Sequence, residues 1–492
     1  MNINLRNIGG NALSVLTSDV TNRATSFIIY ALIARHLGAF EFGQLALSFS
    51  LFYVFQVTAV AGLKLLIIRQ VAKDRSQTKQ YFLNGCFIVT ATSLLSIGLL
   101  FGFVRLMHYE AKTSAIILAL SLALLPYALS AVCEGVFQAW ERMRYIASIN
   151  VPANLAKMAA AYLLLADGRG LIPVVFVLFT AFFGVAVVEM WLVLRRFPSP
   201  SGRLSLRFCW STIRSSLTFL AIDKIIAIDS SLNIILLSKL ATETQVGLYT
   251  AAAQLLVPLA LVYQSISQSI YPVMCRHVHA GLQDLKRISE RAMEALLMLA
   301  LPAVAGIYFL GPWALSLLYK KQTFLEAVPA LRIMVWILIF QVFSYVLGQV
   351  LMATHREKIT LRIVIVDVLV TLGAGWPLIS HFGLLGAAFT FFVTRLIAAV
   401  QHFIPVSRLL SGISLAKVSW RPVVATSCMA GYLAFVSNEP GILRALVATV
   451  IYAAALLALV LFACGGIRQL KLQCLNAWQG SSSGGGEETA HD

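Results

Sequence analysis

The stretch LIPVVFVLFTAFFGVAVVEMWLVL, Leu171–Leu194, decides the fold. It carries one charged residue, Glu189, and is followed at once by Arg195 and Arg196. A helix of about 20 apolar residues crosses the roughly 30 Å hydrocarbon core of a bilayer, and this one is long enough. Its apolar residues do not alternate with polar ones, so it is not a strand of a membrane barrel. Gly184 and Pro173 lie inside or at the edge of the run, where membrane helices tolerate them.

The same pattern extends outward over nearly the whole chain. Of its 492 residues 59% are hydrophobic and 12% charged, with a mean hydropathy of +0.83. A soluble chain carries about 25% charged residues, so this one lacks the polar surface of a water-soluble globule. Fourteen spans are expected, near 12–34, 44–68, 82–104, 114–138, 146–165, 171–194, 214–238, 246–272, 292–318, 330–353, 360–380, 383–404, 418–437 and 443–463. The sequence therefore predicts an all-α integral membrane protein. The N-terminus MNINLRNIGG has no small-residue cleavage site after a short apolar core, so the first span is expected to persist.

The net charge of +17 does not point to nucleic acid, because most basic residues sit in short segments beside spans. With the N-terminus on the cytoplasmic side, that side holds 24 of the 38 Lys and Arg, the opposite side nine, and the spans five. This asymmetry follows the positive-inside rule and places both termini in the cytoplasm. The basic segment from His277, HVHAGLQDLKRISERAMEALL, has helical periodicity suited to lying along the inner surface near anionic lipid headgroups. The Gly/Ser-rich tail, 466–492, is expected to be disordered. The seven cysteines are dispersed without a CxxC pair, which leaves no disulfide framework or zinc site, and no cofactor is expected. No GxxxxGK[ST] occurs, so no P-loop hydrolyses ATP here.

Two stretches recur about 200 positions on. RHLGAFEFG (Arg35–Gly43) parallels KLATETQVG (Lys239–Gly247), and VFQAWERMR (Val136–Arg144) parallels VLMATHREK (Val350–Lys358). Six spans separate the copies, so each keeps its direction across the membrane, as in a parallel duplication. The expected divisions are a six-helix bundle in 1–200, a second in 201–410, and two further spans in 411–465. Facing halves enclose a cleft able to open to either side, which serves transport.

A charge at mid-membrane costs about 2.5–3.5 kcal/mol on insertion scales, so it normally faces protein or a wet cavity. Asp19 and Arg23 lie four apart on one face of the first span, where they either neutralise each other or serve a site. The seventh span holds Asp223, Lys224 and Asp229. Arg23, Lys224, Arg395, Lys64 and Lys157 are the candidate anion-binding cations; Asp19, Asp223 and Asp229 are candidates for proton or ion coupling. Glu189 is expected near the cytoplasmic boundary in a structural role, and Pro126, Pro258 and Pro302 are expected to kink their spans.

LIARHLGAFEFGQLALSFSLF (Leu32–Phe52), FQAWERMRY (Phe137–Tyr145) and FGLLGAAFTFFVTRLI (Phe382–Ile397), on fourteen spans, resemble the Wzx-type polysaccharide flippases of the multidrug/oligosaccharidyl-lipid/polysaccharide exporter superfamily. The resemblance covers residues 1 to about 465. It implies a V-shaped, MATE-like pair of six-helix bundles and movement of undecaprenyl-pyrophosphate-linked oligosaccharide across a bacterial inner membrane. The implied partners are that lipid-linked substrate, membrane lipids, and the polysaccharide polymerase and chain-length machinery. An ion-coupled drug or cation antiporter of the same superfamily is one alternative. A membrane-embedded polymerase or glycosyltransferase is another, although the short outer segments leave little room for a catalytic domain.

Overall fold

The computed structural model describes residues 5–197, 202–436 and 441–463, so the tail expected to be disordered lies outside the described residues. Those residues form helices and turns, with no strand among them. In chain order the helices are α1 (Leu5–Leu37), α2 (Ala39–Val60), α3 (Leu63–Lys73), α4 (Thr78–Leu106), α5 (Ala111–Ser121), α6 (Leu124–Ala139), α7 (Arg144–Ala166) and α8 (Leu171–Arg196). There follow α9 (Leu206–Leu240), α10 (Glu243–Ala280), α11 (Leu282–Tyr319), α12 (Val328–Met334), α13 (Ile337–Ala353), α14 (Glu357–Leu409), α15 (Leu415–Phe435) and α16 (Gly441–Ala463). Short 3-10 turns occupy Arg75–Gln77 and Gln322–Ala327.

Among the described residues nine helices or collinear pairs are long and apolar enough to cross a membrane. A pair bent by 45°, Gln322–Met334 with Ile337–Ala353, makes a tenth. α14 contains a break at Gly383 (φ 52°, ψ −120°) and is two rods joined by a tight turn. Adding α1, α9 and α15, at 33, 35 and 21 residues, gives fourteen rods. Each matches one of the predicted spans, and the turn at 383 falls at the expected boundary between the eleventh and twelfth.

Local detail departs from the sequence reading in two places. Pro126 sits in the first turn of α6, where its missing N–H breaks no helical bond, so it starts a helix rather than kinking one. The basic segment after His277 is no separate surface helix: α10 runs to Ala280 and α11 resumes at Leu282, divided only by Gly281 at φ +129°. Asp74 opens the 3-10 turn at Arg75 by accepting from the Ser76 N–H at 3.0 Å, the Ser76 hydroxyl and Gln77. Those donors hold its carboxyl below the usual carboxylate range.

The chain divides into two compact units. The first comprises Met1–Leu255, Leu315–Met334 and Leu361–Ile397. Within it α1 packs on α7, α2 on α9 and α4, and α6 on α3, α4 and α8. The second comprises Leu256–Ala314, Val335–Thr360 and Ala398–Asp492. There Leu310 of α11 meets Ala425, Met429 and Leu433 of α15 and Ala448 and Tyr452 of α16. Tyr452 donates to the Met298 carbonyl at 2.6 Å, and Arg421 pairs with Glu294 at 3.0 Å, so the last two helices are fixed to α11.

The duplication is visible in backbone geometry. α6 ends with Glu141 left-handed at φ 57° and the Arg142 N–H on the Phe137 carbonyl at 2.9 Å. α13 ends with His355 at φ 56° and the Arg356 N–H on the Leu351 carbonyl at 2.8 Å. These are matched positions of the second predicted repeat, and both copies use the same left-handed stop without a glycine. The matched positions of the first repeat touch each other inside the first unit. A Cβ on Gly43 would fall 1.8 Å from the Glu243 carbonyl oxygen, and one on Gly247 would fall 1.9 Å from that of Ala39. Each contact is the other shifted by one repeat, the signature of a local two-fold relation between α2 and α10.

Candidate functional site

A cavity of about 540 Å³ opens in the first unit, walled by α1, α2, α3, α6, α7 and α8, with Asp223 from α9. A span breaks beside it. α2 stops at Val60; Ala61 and Gly62 are both left-handed, at φ 53° and 67°, and α3 restarts at Leu63. A Cβ at Gly62 would meet backbone of α9 at 2.8 Å, so only glycine admits this close approach. Non-helical backbone at membrane depth is tolerated where it lines a cavity or is packed in protein. The break delivers Lys64, in the first turn of α3, to the wall.

Lys64 pairs with Glu134 of α6 at 2.5 Å, and the other Glu134 oxygen accepts from Asn150 of α7 at 3.2 Å. Lys157, on α7, is buried and donates to its own-helix neighbour Asn154 at 2.7 Å. Its ammonium also lies 6.0 Å from the centre of the Phe182 ring. Among the described residues Lys157 forms no ion pair, whereas Lys64 does. On the α6 wall Ser130 donates to Glu189 of α8, which is fully buried directly behind the lining. The cavity thus presents two ammonium groups and the carboxylates Asp19, Glu134 and Asp223, together with the amides Asn22, Gln56, Asn150 and Asn154.

The candidate residues from the sequence separate into four places. Lys64, Lys157, Asp19 and Asp223 line this cavity, and Asp19 and Asp223 are matched positions of the repeat. Arg23 is exposed on α1 and forms no ion pair with Asp19 among the described residues, so mutual neutralisation does not hold. Lys224 spends its donors on the Val54 carbonyl at 2.9 Å and the Thr58 hydroxyl at 2.7 Å, stitching α9 to α2. Arg395 bridges two carboxylates, Asp229 at 2.8 Å and Asp367 at 3.5 Å, and Asp367 is almost wholly buried. That cluster ties α9 to both rods of α14.

Glu134 and its amide neighbours escaped the sequence reading. The signal was present: ALSAVCEGVFQAW places a carboxylate inside an apolar span, where charge is expensive. Glu189, expected near the cytoplasmic boundary, is joined by a hydrogen bond to a residue of the cavity wall. Asn150 and Asn154 carry no such mark, since a lone amide in a helix is read as packing.

A family model described as "Polysaccharide biosynthesis protein" matches residues 8–278, and one described as "Lipid II flippase MurJ" matches residues 224–462. No curated protein matches the sequence. Among solved structures, the lipid II flippase MurJ in an inward closed conformation aligns with TM-score 0.74 at 12% identity, over 90% of this chain and 98% of that one. A multidrug resistance MATE family transporter aligns in its inward-facing conformation with TM-score 0.64 at 15% identity, over 79% and 94% of the two chains. An outward-facing MATE family structure aligns with TM-score 0.54 at 13% identity, over 81% and 93%. At these identities the likeness is one of fold.

Proposed function

The chain belongs to the polysaccharide biosynthesis protein family, and from that premise we propose that it is a flippase for lipid-linked oligosaccharide. The substrate is an undecaprenyl-pyrophosphate-linked repeat unit, moved from the cytoplasmic to the periplasmic leaflet of a bacterial inner membrane for exopolysaccharide, O-antigen or capsule synthesis. Lipids surround the protein, and a polymerase with chain-length machinery receives the product. Both termini face the cytoplasm on this reading, as the distribution of Lys and Arg favours. The chain acts as a carrier by alternating access and makes no covalent bond.

The observation that carries the anion-binding part is Lys157. A buried ammonium without a carboxylate partner is costly unless a counter-charge arrives, and this one lines a cavity. A pyrophosphate diester supplies that counter-charge. Lys64 joins it once its bond to Glu134 loosens, and Arg23, exposed one residue past the lining Asn22, extends the path. Lys224 and Arg395 act structurally in the arrangement described, because their donors are engaged. An inside-negative potential favours outward movement of anions by about 2.3 kcal/mol per charge per 100 mV.

The test is transfer of a fluorescent lipid-linked oligosaccharide between leaflets of proteoliposomes. Lys157→Gln is expected to slow transfer about ten- to a hundredfold, the value of one lost charge-assisted hydrogen bond, and Lys157→Arg to retain most of it. Full activity in Lys157→Gln removes this assignment. The three lining carboxylates favour a second reading, a cation or drug antiporter. Exchange of organic cations by the same vesicles, with no transfer of lipid-linked sugar, would select it.

A further inference from the structure

We propose that Glu189 binds a proton, and that this proton sets the charge of the cavity wall so that anion binding and proton binding strengthen each other. The proton site stands on the geometry alone; its linkage to an anion rests on the flippase reading. Glu189 is 0% exposed, and one carboxyl oxygen accepts from Ser130. Its other oxygen, Oε1, has no hydrogen-bond partner. A buried carboxylate oxygen with no donor carries its full desolvation penalty, which binding a proton removes.

The groups around Glu189 make this one proton count. From α6 come Cys133 and Glu134, and α3 brings Lys64; Lys157 of α7 lines the same cavity as Ser130. α5 offers only Lys112, which is engaged with Glu41 at 3.2 Å. Glu134 and Lys64 both act electrostatically on Glu189. With Glu189 ionised, the pair Glu134 and Glu189 balances Lys64 and Lys157. With a proton on Glu189 Oε1 the same four groups carry one net positive charge. Ser130 lines the cavity and donates to the other Glu189 oxygen, so it links this carboxyl to the cavity wall. By reciprocity an anion that binds better when these four groups carry that positive charge must draw a proton onto Glu189.

The experiment uses the full chain in lipid nanodiscs and has two readouts. Infrared difference spectra between acid and alkaline pH should show the carbonyl band of a buried carboxylic acid, absent in Glu189→Gln and displaced to another pH in Ser130→Ala. Binding of a pyrophosphate diester lipid, whose own charge is constant near neutrality, should weaken by up to about tenfold per pH unit above that titration. In Glu189→Gln the affinity should be independent of pH and close to the acid value of the wild type. A carbonyl band that survives in Glu189→Gln, or an unchanged pH slope in that variant, overturns the proposal. A wild type that shows the band but binds no pyrophosphate lipid at any pH overturns the linkage and the flippase reading while leaving the proton site standing.

Discussion

Substituting alanine for Gly43 should drive the first unit out of the arrangement described. The added methyl would sit 1.8 Å from the Glu243 carbonyl oxygen, whereas real Cβ contacts do not come below 3.0 Å and are comfortable from 3.4 Å. The two backbones must therefore part by 1.2 to 1.6 Å. Nothing flexible is available to yield, because the opposing atoms are main chain on both helices. Around the crossing lies a set of further polar contacts within the first unit. Gln44 donates to Thr113 at 2.8 Å and Thr113 to Glu243 at 3.3 Å, Lys321 donates to the His36 carbonyl at 3.0 Å, and Lys239 to that of Met107. Phe42 packs on Tyr319 and Phe324, with ring centres 6.1 and 6.2 Å away. Overpacking of this kind costs about 1–3 kcal/mol, which shifts a two-state population about 5- to 150-fold. The assay is maleimide labelling of Leu248→Cys, a position 3% exposed beside the crossing, with and without Gly43→Ala. Labelling should rise by that factor, and Gly247→Ala should act alike. Combining both should add little, since one separation relieves both clashes. Gly98→Ala, with nothing within 4 Å, is the control. If Gly43→Ala labels no faster than Gly98→Ala, the close approach of the two backbones does not hold this arrangement and the reasoning fails.

Arg395→Gln strips the guanidinium from Asp229 and Asp367 and should cost about 3–5 kcal/mol in thermal unfolding in detergent; adding Asp229→Asn and Asp367→Asn should return most of it. Lys64→Met should cost only about 1 kcal/mol, because the Lys64 side chain is 34% exposed and the pair is partly screened; Glu134→Gln in the same chain should remove that cost, as a double-mutant cycle of melting temperatures would show. Gly383→Ala meets both a φ of 52° and the Gln245 side chain at 2.5 Å, so denaturation should reveal a loss of about 1–3 kcal/mol, while Gly373→Ala, with open space around it, should be neutral.

Much of the fold was legible because membrane insertion writes itself into composition. A rod that crosses hydrocarbon must be apolar along its length, so even the turn at Gly383 could be found between two apolar runs. The repeat was legible for a related reason. Glu141 and His355 share no chemistry, yet the flanking pattern survived because both copies make the same left-handed stop. The site was less legible. Lys64, Lys157, Asp19 and Asp223 were marked by the cost of charge in a span, and so were Lys224 and Arg395. The mark is the same whether the charge ends beside a carboxylate, on a carbonyl, or facing a cavity.

The sequence alone determined how many rods there are and their duplication, because each follows from the length and order of apolar runs and from the glycines and charges between them. Only the tertiary structure decided which charge answers which. Arg395 lies 166 positions from Asp229, and Lys64 lies 70 from Glu134. Such pairings depend on which helix faces meet, and no local spacing encodes that. Lys157 differs from Lys64 and Arg395 in forming no ion pair among the described residues while lining a cavity, and that difference exists only once the helices are packed.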